Sequence, residues 1–117
     1  MEKNILIFDD DILIMETTDQ LLKAIGYSSY TAKNSPEVYS IIKNNRIDIF
    51  IIDFNLENEN SGDIIKQVKG LSPETKIIVS SGLINPTFSD DNINNLIENY
   101  LNKPYTLEDL KTVLENI

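Results

Sequence analysis

The chain contains neither cysteine nor histidine among its 117 residues. The first absence excludes disulfides and thiolate metal sites and makes a reducing cytoplasm the expected compartment. The second removes the commonest general base and the commonest zinc ligand. Long apolar runs are missing too. No stretch approaches the roughly 20 residues needed to span a bilayer. The opening MEKNILIF meets charge again at Asp9 after four apolar residues, so it lacks the layout of a signal peptide. Positive charge is scarce: ten Lys and Arg stand against nineteen Asp and Glu, a net charge of −9. Such a surface repels nucleic acid and anionic lipid, so no direct contact with either is expected.

What is present suits one domain over residues 1–117, with 41% apolar and 25% charged residues. Two hydrophobic periods alternate along it. Ile5–Phe8 is a short buried-strand run, followed by Ile14, Thr18, Leu21, Leu22 and Ile25 on one helical face, stopped at Gly26. Tyr27–Thr31 reads as a weaker strand. Ser35-Pro36-Glu37 starts a second helix with Ser35 as its cap, and Val38, Ile41 and Ile42 form its inner face. Ile47–Ile52 is a β-branched strand ending at Asp53, after which FNLENENS is polar loop. Gly62 precedes a helix carrying Ile65 and Val68, and Lys76–Ser80 is a fourth strand. A helix is predicted over 90–98, a short strand at Tyr100-Leu101, and a last helix whose Thr106 and Asp109 have capping-box spacing. Five strands alternating with five helices imply right-handed crossovers and a doubly wound parallel α/β sheet covered on both faces.

In such a sheet, ligands bind beyond the carboxyl ends of the strands. Asp9, Asp10 and Asp11 follow the first strand and Asp53 the third; Ser80-Ser81-Gly82 ends the fourth and Asn102-Lys103-Pro104 the fifth. Each has an ordinary reading on its own. Asp11 is expected to cap the first helix, Asp53 could open a turn, the serines could be loop hydroxyls and Lys-Pro a surface turn. Their joint placement carries the weight. Two carboxylates about 4.5 Å apart repel by roughly 4 kcal/mol at an effective dielectric of about 20. A hard dication removes that cost and, in the case of Mg²⁺, leaves coordination positions for phosphate oxygens. A carboxylate beside it can attack phosphorus, with a lysine and a hydroxyl neutralising the phosphoryl oxygens.

These residues resemble the receiver domain of bacterial two-component response regulators, and the resemblance runs from ILIFDDD to the last helix. It matches an acidic pair to Asp9 and Asp10, a phosphoacceptor to Asp53, a Ser/Thr followed by a small residue to Ser81-Gly82, a Lys-Pro to Lys103-Pro104 and an aromatic switch position to Tyr100. The spacings, 22 residues from Ser81 to Lys103 and 50 from Asp53 to Lys103, are typical of it. The resemblance implies a flavodoxin-like sheet of order 2-1-3-4-5. It implies Mg²⁺, with Mn²⁺ able to substitute, held by Asp9, Asp10, Asp53 and the backbone carbonyl of Asn55. It implies phosphorylation of Asp53 by a sensor histidine kinase or phosphotransfer protein, with Ser81 and Lys103 assisting. Ser81 and Tyr100 would then switch the surface of the fourth helix, fifth strand and fifth helix, read by a downstream protein or an output domain elsewhere. Such a domain is not an enzyme beyond promoting its own phosphorylation from small donors and its own dephosphorylation. This chain departs from the pattern in three places, one of them the loop ENENSG, which is about one residue too long for it. Leu56-Glu57 stands where receivers often carry a proline, and Glu98-Asn99 where they usually carry Gly-Ala.

Three other readings fit less of the chain. A haloacid-dehalogenase-type aspartyl-phosphate phosphatase would explain Asp9-x-Asp11, but Leu13 replaces its hydroxyl or small polar residue, no late acidic pair follows, and a cap has no room. A flavin module of similar topology needs a phosphate-cradling loop where this chain has three aspartates. A degenerate receiver used only for docking has no need of the full residue set.

Overall fold

The computed structural model describes residues 3–84 and 86–117. Five parallel strands, β1 (Asn4–Phe8), β2 (Ser28–Thr31), β3 (Ile49–Asp53), β4 (Lys76–Ser81) and β5 (Ile97–Asn102), lie in the order β2-β1-β3-β4-β5. The helices are α1 (Ile12–Ala24), α2 (Ser35–Asn44), α3 (Ser61–Leu71), α4 (Asp91–Asn94) and α5 (Leu107–Glu115). This is the expected doubly wound architecture.

Strand alternation builds its two cores. Successive side chains on a strand point to opposite faces. Leu6, Phe8, Phe50, Ile52, Ile77 and Val79 therefore pack on one side with Val38 and Ile42 of α2 and Ile65 and Val68 of α3. Ile5, Ile7, Ile49, Ile51 and Ile78 pack on the other with Met15 and Leu22 of α1 and Leu110 and Leu114 of α5. With both faces covered, β3 has no exposed residue and reads as an unbroken apolar run up to Asp53.

Local chemistry sets the helix ends. Asp11 caps α1, accepting hydrogen bonds from the N–H groups of Leu13 and Ile14 at 3.0 and 3.2 Å. Gly26, at φ +97°, takes the left-handed conformation that lets the chain turn from α1 into β2. Thr106 and Asp109 form the expected capping box of α5. The cap of α2 is Asn34 rather than Ser35, which occupies the first helical position.

The helix predicted over 90–98 is not formed. Only Asp91–Asn94 is helical, and β5 takes up Ile97 to Asn102. Asparagine amides compete with the helix for backbone partners. The Asn94 side chain instead ties this turn back to the preceding segment, accepting from Phe88 N–H and donating to the Phe88 carbonyl, both at 2.9 Å. The pairing of β5 with β4 shifts register between Ile77 and Ile78, whose partners are Ile97 and Asn99. Glu98 is the extra residue, a bulge at one of the positions that depart from the receiver pattern.

Register brings the chemistry together. Phe8 pairs with Ile52, Asp53 with Ser80 and Ser81 with Asn102. Asp9 and Lys103, one residue beyond their paired strands, therefore flank Asp53 at one edge of the sheet.

Candidate functional site

Asp9 and Asp53 are buried, with 5% and 7% of their surface exposed. Lys103 reaches both. Its Nζ is 2.7 Å from Asp9 Oδ2 and 3.3 Å from Asp53 Oδ1. Short-range donors complete the carboxylates: Asp11 N–H to Asp9 Oδ1 at 2.8 Å, and Asn55 N–H to Asp53 Oδ1 at 3.2 Å. Asp10 is exposed and accepts a 2.6 Å hydrogen bond from Glu57 N–H. A proline at residue 57 would have no N–H to donate, so this departure from the pattern ties Asp10 to the loop that follows Asp53. The aspartates, Asn55, Glu57 and Lys103 enclose a cleft of about 320 Å³.

Charge in the cleft is unbalanced. Burial, and then the neighbouring Asp9 charge, raise the Asp53 pKa above its ordinary value despite the opposing pull of Lys103. Burial lowers the Lys103 pKa, but its hydrogen bond to Asp9 and the charges of Asp9 and Asp53 outweigh this and leave it raised. One lysine stands in a lining that holds five acidic residues, Asp9, Asp10, Asp11, Asp53 and Glu57. Among the described residues no three acidic side chains already close into a metal cage. The all-oxygen donor set and the uncompensated charge nonetheless fit a hard dication, once Asp10 turns from Glu57 and Lys103 yields part of its hold on the pair.

Ser80 and Ser81 are buried at the end of β4. The Ser81 hydroxyl accepts from Leu83 N–H at 3.0 Å and keeps its own proton to donate. The Ser81 carbonyl accepts from Lys103 N–H at 2.8 Å, so the two residues are joined through the backbone. Tyr100 is half-buried against the α2/α3 side of the core, and burial raises its pKa. The structure thus brings Asp9, Asp10, Asp53, Asn55 and Lys103 around one cleft, ties Ser81 to Lys103, and places Tyr100 on β5 two residues before Asn102, the partner of Ser81.

Sequence reasoning missed two contacts. Phe54, next to Asp53, packs on Phe88 with ring centroids 4.8 Å apart. Tyr105 hydrogen-bonds Thr18 across 87 residues of sequence. The first had no local signal. The second left one, since Thr18 is a polar residue on the inner face of α1.

The sequence profile of the response regulator receiver domain matches residues 5–115. The chain is 32% identical over 112 residues to the autoinducer 1 sensor kinase/phosphatase LuxN of Vibrio campbellii, covering 96% of this chain and 13% of that protein. It is 26% identical to a CheY-like response regulator receiver domain protein from Methanospirillum hungatei, with a TM-score of 0.86 over 98% of this chain and 92% of that one. A response regulator protein from Burkholderia pseudomallei, with a phosphorylated aspartic acid, calcium ion and citrate, is 25% identical, with a TM-score of 0.84 over 97% of this chain and 66% of that one. The chain spans about half or less of the length of the curated relatives it matches. Profile, relatives and fold agree with the acidic edge of the sheet: the chain belongs to the response regulator receiver domain family.

Proposed function

We propose that the chain receives a phosphoryl group on Asp53 from a sensor histidine kinase or phosphotransfer protein and passes on the signal as a change of surface. The observation that supports this most is the buried Asp9–Lys103–Asp53 cluster at the carboxyl edge of the sheet. Asp53 is the carboxylate best placed to attack, being fixed by β3 and by Asn55 N–H. Asp9, Asp10, Asp53 and the Asn55 carbonyl would hold Mg²⁺ or Mn²⁺. A bound dication draws negative charge from the attacking carboxylate and the phosphoryl oxygens. Lys103 neutralises a further phosphoryl oxygen, and the Ser81 proton is available to another. The whole of 1–117 would act as one receiver, and its target is a downstream protein or an output domain.

Intact mass spectrometry after incubation with acetyl phosphate and Mg²⁺ tests this reading. A gain of one phosphoryl group is expected, and an unchanged mass would reject it. Metal binding has its own check. Asp10→Ala is expected to weaken Mg²⁺ affinity by an order of magnitude or more, and Asp9→Ala with Asp10→Ala to abolish calorimetric binding. Unchanged affinity in the double variant would remove both residues from the site.

The output follows from Ser81. Donating its proton to a phosphoryl oxygen draws the residue inward and opens space behind the β4–α4 loop, into which Tyr100 can turn. The switched surface would be built from β5, α5 and the 86–90 segment rather than from a long fourth helix, since α4 has only four residues. A beryllofluoride complex is expected to move Ser81 and Tyr100 together, and Ser81→Ala to separate phosphorylation from the Tyr100 movement. Identical Tyr100 side-chain NMR signals with and without beryllofluoride would defeat this switch.

A further inference from the structure

We propose that Tyr105, tethered to Thr18, is a positioning residue that holds the Lys103 ammonium where phosphoryl transfer needs it; this rests on the receiver function proposed above.

Thr18 is the one hydroxyl-bearing side chain among the buried residues of α1, lying between Met15 and Leu22 with 2% of its surface exposed. A buried hydroxyl without a partner is costly. Thr18 Oγ1 meets that need with a 2.5 Å hydrogen bond to the Tyr105 hydroxyl. The bond joins α1 to the segment that carries Lys103. Upstream, that segment is pinned by Lys103 N–H donating to the Ser81 carbonyl at 2.8 Å. Downstream, two residues on, Tyr105 is the next anchor. Lys103 is thus held from both sides while its Nζ bridges Asp9 and Asp53.

Packing alone does not fix Tyr105. Its ring sits against the α1/α5 core, but one side opens on an apolar groove of about 380 Å³ between α1 and Pro104. Without its hydrogen bond the ring has room to turn into that groove and carry the Lys103 segment with it. The hydroxyl lies close enough to the cleft to feel the charges of Asp9, Lys103 and Asp53. A lysine that has lost its fixed position stabilises the developing charge on the phosphoryl oxygens less well, although its own charge is unchanged.

Tyr105→Phe keeps the ring and removes the tether; Thr18→Val keeps the shape of the other partner; Thr18→Ser keeps the hydroxyl. With acetyl phosphate and saturating Mg²⁺, Tyr105→Phe and Thr18→Val are each expected to slow phosphorylation about tenfold. The double variant should be no slower than either single one, and Thr18→Ser should recover most of the rate. In metal-free protein the Lys103 side-chain ¹⁵N signal should broaden or shift in Tyr105→Phe but not in Thr18→Ser. Should Thr18→Val fail to fold, Tyr105→Phe and Thr18→Ser carry the comparison. Variant rates equal to the parent, additive losses in the double variant, or an unchanged Lys103 signal would overturn the positioning role. A parent protein that takes no phosphoryl group would overturn the receiver reading itself, and the role in transfer with it.

Discussion

Asp53→Asn is expected to lose all phosphoryl incorporation and, in metal-free buffer at neutral pH, to unfold at a higher temperature than the parent. The first effect follows from chemistry. The amide keeps an oxygen for Asn55 N–H, which now meets Asp53 Oδ1 at 3.2 Å, but it has no anionic oxygen with which to attack phosphorus. The second follows from linkage. Burial, then the charge of Asp9, raise the folded Asp53 pKa above its unfolded value. The folded protein therefore binds that proton more tightly than the unfolded chain does. The resulting stability is fully present below the unfolded pKa and is lost as pH rises through the folded pKa. Above the folded pKa the parent has lost it, whereas the amide never ionises. A gain of about 4 °C per kcal/mol is expected for a domain of this size. Two further measurements check the cause. The gap between variant and parent should narrow as the pH falls into the acid range. It should narrow or reverse in Mg²⁺, which at about 100 times its dissociation constant stabilises the parent by about 2.7 kcal/mol. A variant no more stable than the parent at pH 7, or residual label on it, would contradict the electrostatic or the chemical half respectively.

Where the hydrophobic period and the packing agree, the sequence was easy to read. Ile5–Phe8 and Ile49–Ile52 are apolar at every position because the sheet is covered on both faces; both stretches are strand, although β3 starts at Ile49, two residues later than the expected Ile47, and runs on to Asp53. The acidic edge was legible for a related reason. A buried strand that stops at a charged residue marks the border of the core, and register then fixes which borders meet. The fourth helix was misread because Ile93, Leu96 and Ile97 fit a helical face. Asn92 precedes Ile93, Asn94 and Asn95 separate it from Leu96, and the Asn94 amide uses both of its ends on the Phe88 backbone. Periodicity records burial and is blind to such side-chain ties. Met15, which packs in the α1/α5 core, was passed over for the same reason in reverse, since Ile14 and Leu21 beside it are only partly buried. The tie between Glu57 and Asp10 could not be read at all, because it depends on a backbone N–H aimed across a loop.

The short α4 also alters how a signal can leave the site. Gly62, near the start of α3, leaves no room for a side chain: a Cβ there would stand 2.7 Å from Ile93 Cδ1. Phe54, the residue that follows β3, packs on Phe88, whose backbone is bound to Asn94. The loop after Asp53 is therefore in direct contact with the 86–94 segment, apart from the proposed Ser81–Tyr100 switch. Close packing of this kind leaves little room for a displacement at Asp53 to be absorbed locally.

Lys103→Met keeps an apolar stem of similar length and removes the only cation in contact with the Asp9–Asp53 pair among the described residues. Two buried carboxylates are then left facing each other. Breaking a buried pair by removal of one partner costs about 3 kcal/mol, or about 12 °C for this domain. Mg²⁺ should return most of that loss, because the acidic side chains that would hold it remain. Phosphorylation from acetyl phosphate is expected to fall on the order of a hundredfold even in saturating Mg²⁺, since one fixed positive charge is missing from the phosphoryl oxygens. Lys103→Arg separates charge from geometry. It should keep stability near that of the parent, yet slow transfer, because a planar guanidinium presents its donors differently from a compact ammonium. Adding Asp53→Asn to Lys103→Met should recover stability without metal, because a single carboxylate then remains in place of the opposed pair. Thermal unfolding of the four proteins with and without Mg²⁺, with intact-mass kinetics in parallel, decides the matter. If Lys103→Met is as stable as the parent without metal, the Asp9–Lys103–Asp53 contacts contribute nothing to the fold. If it is phosphorylated at the parental rate, Lys103 has no part in the transfer.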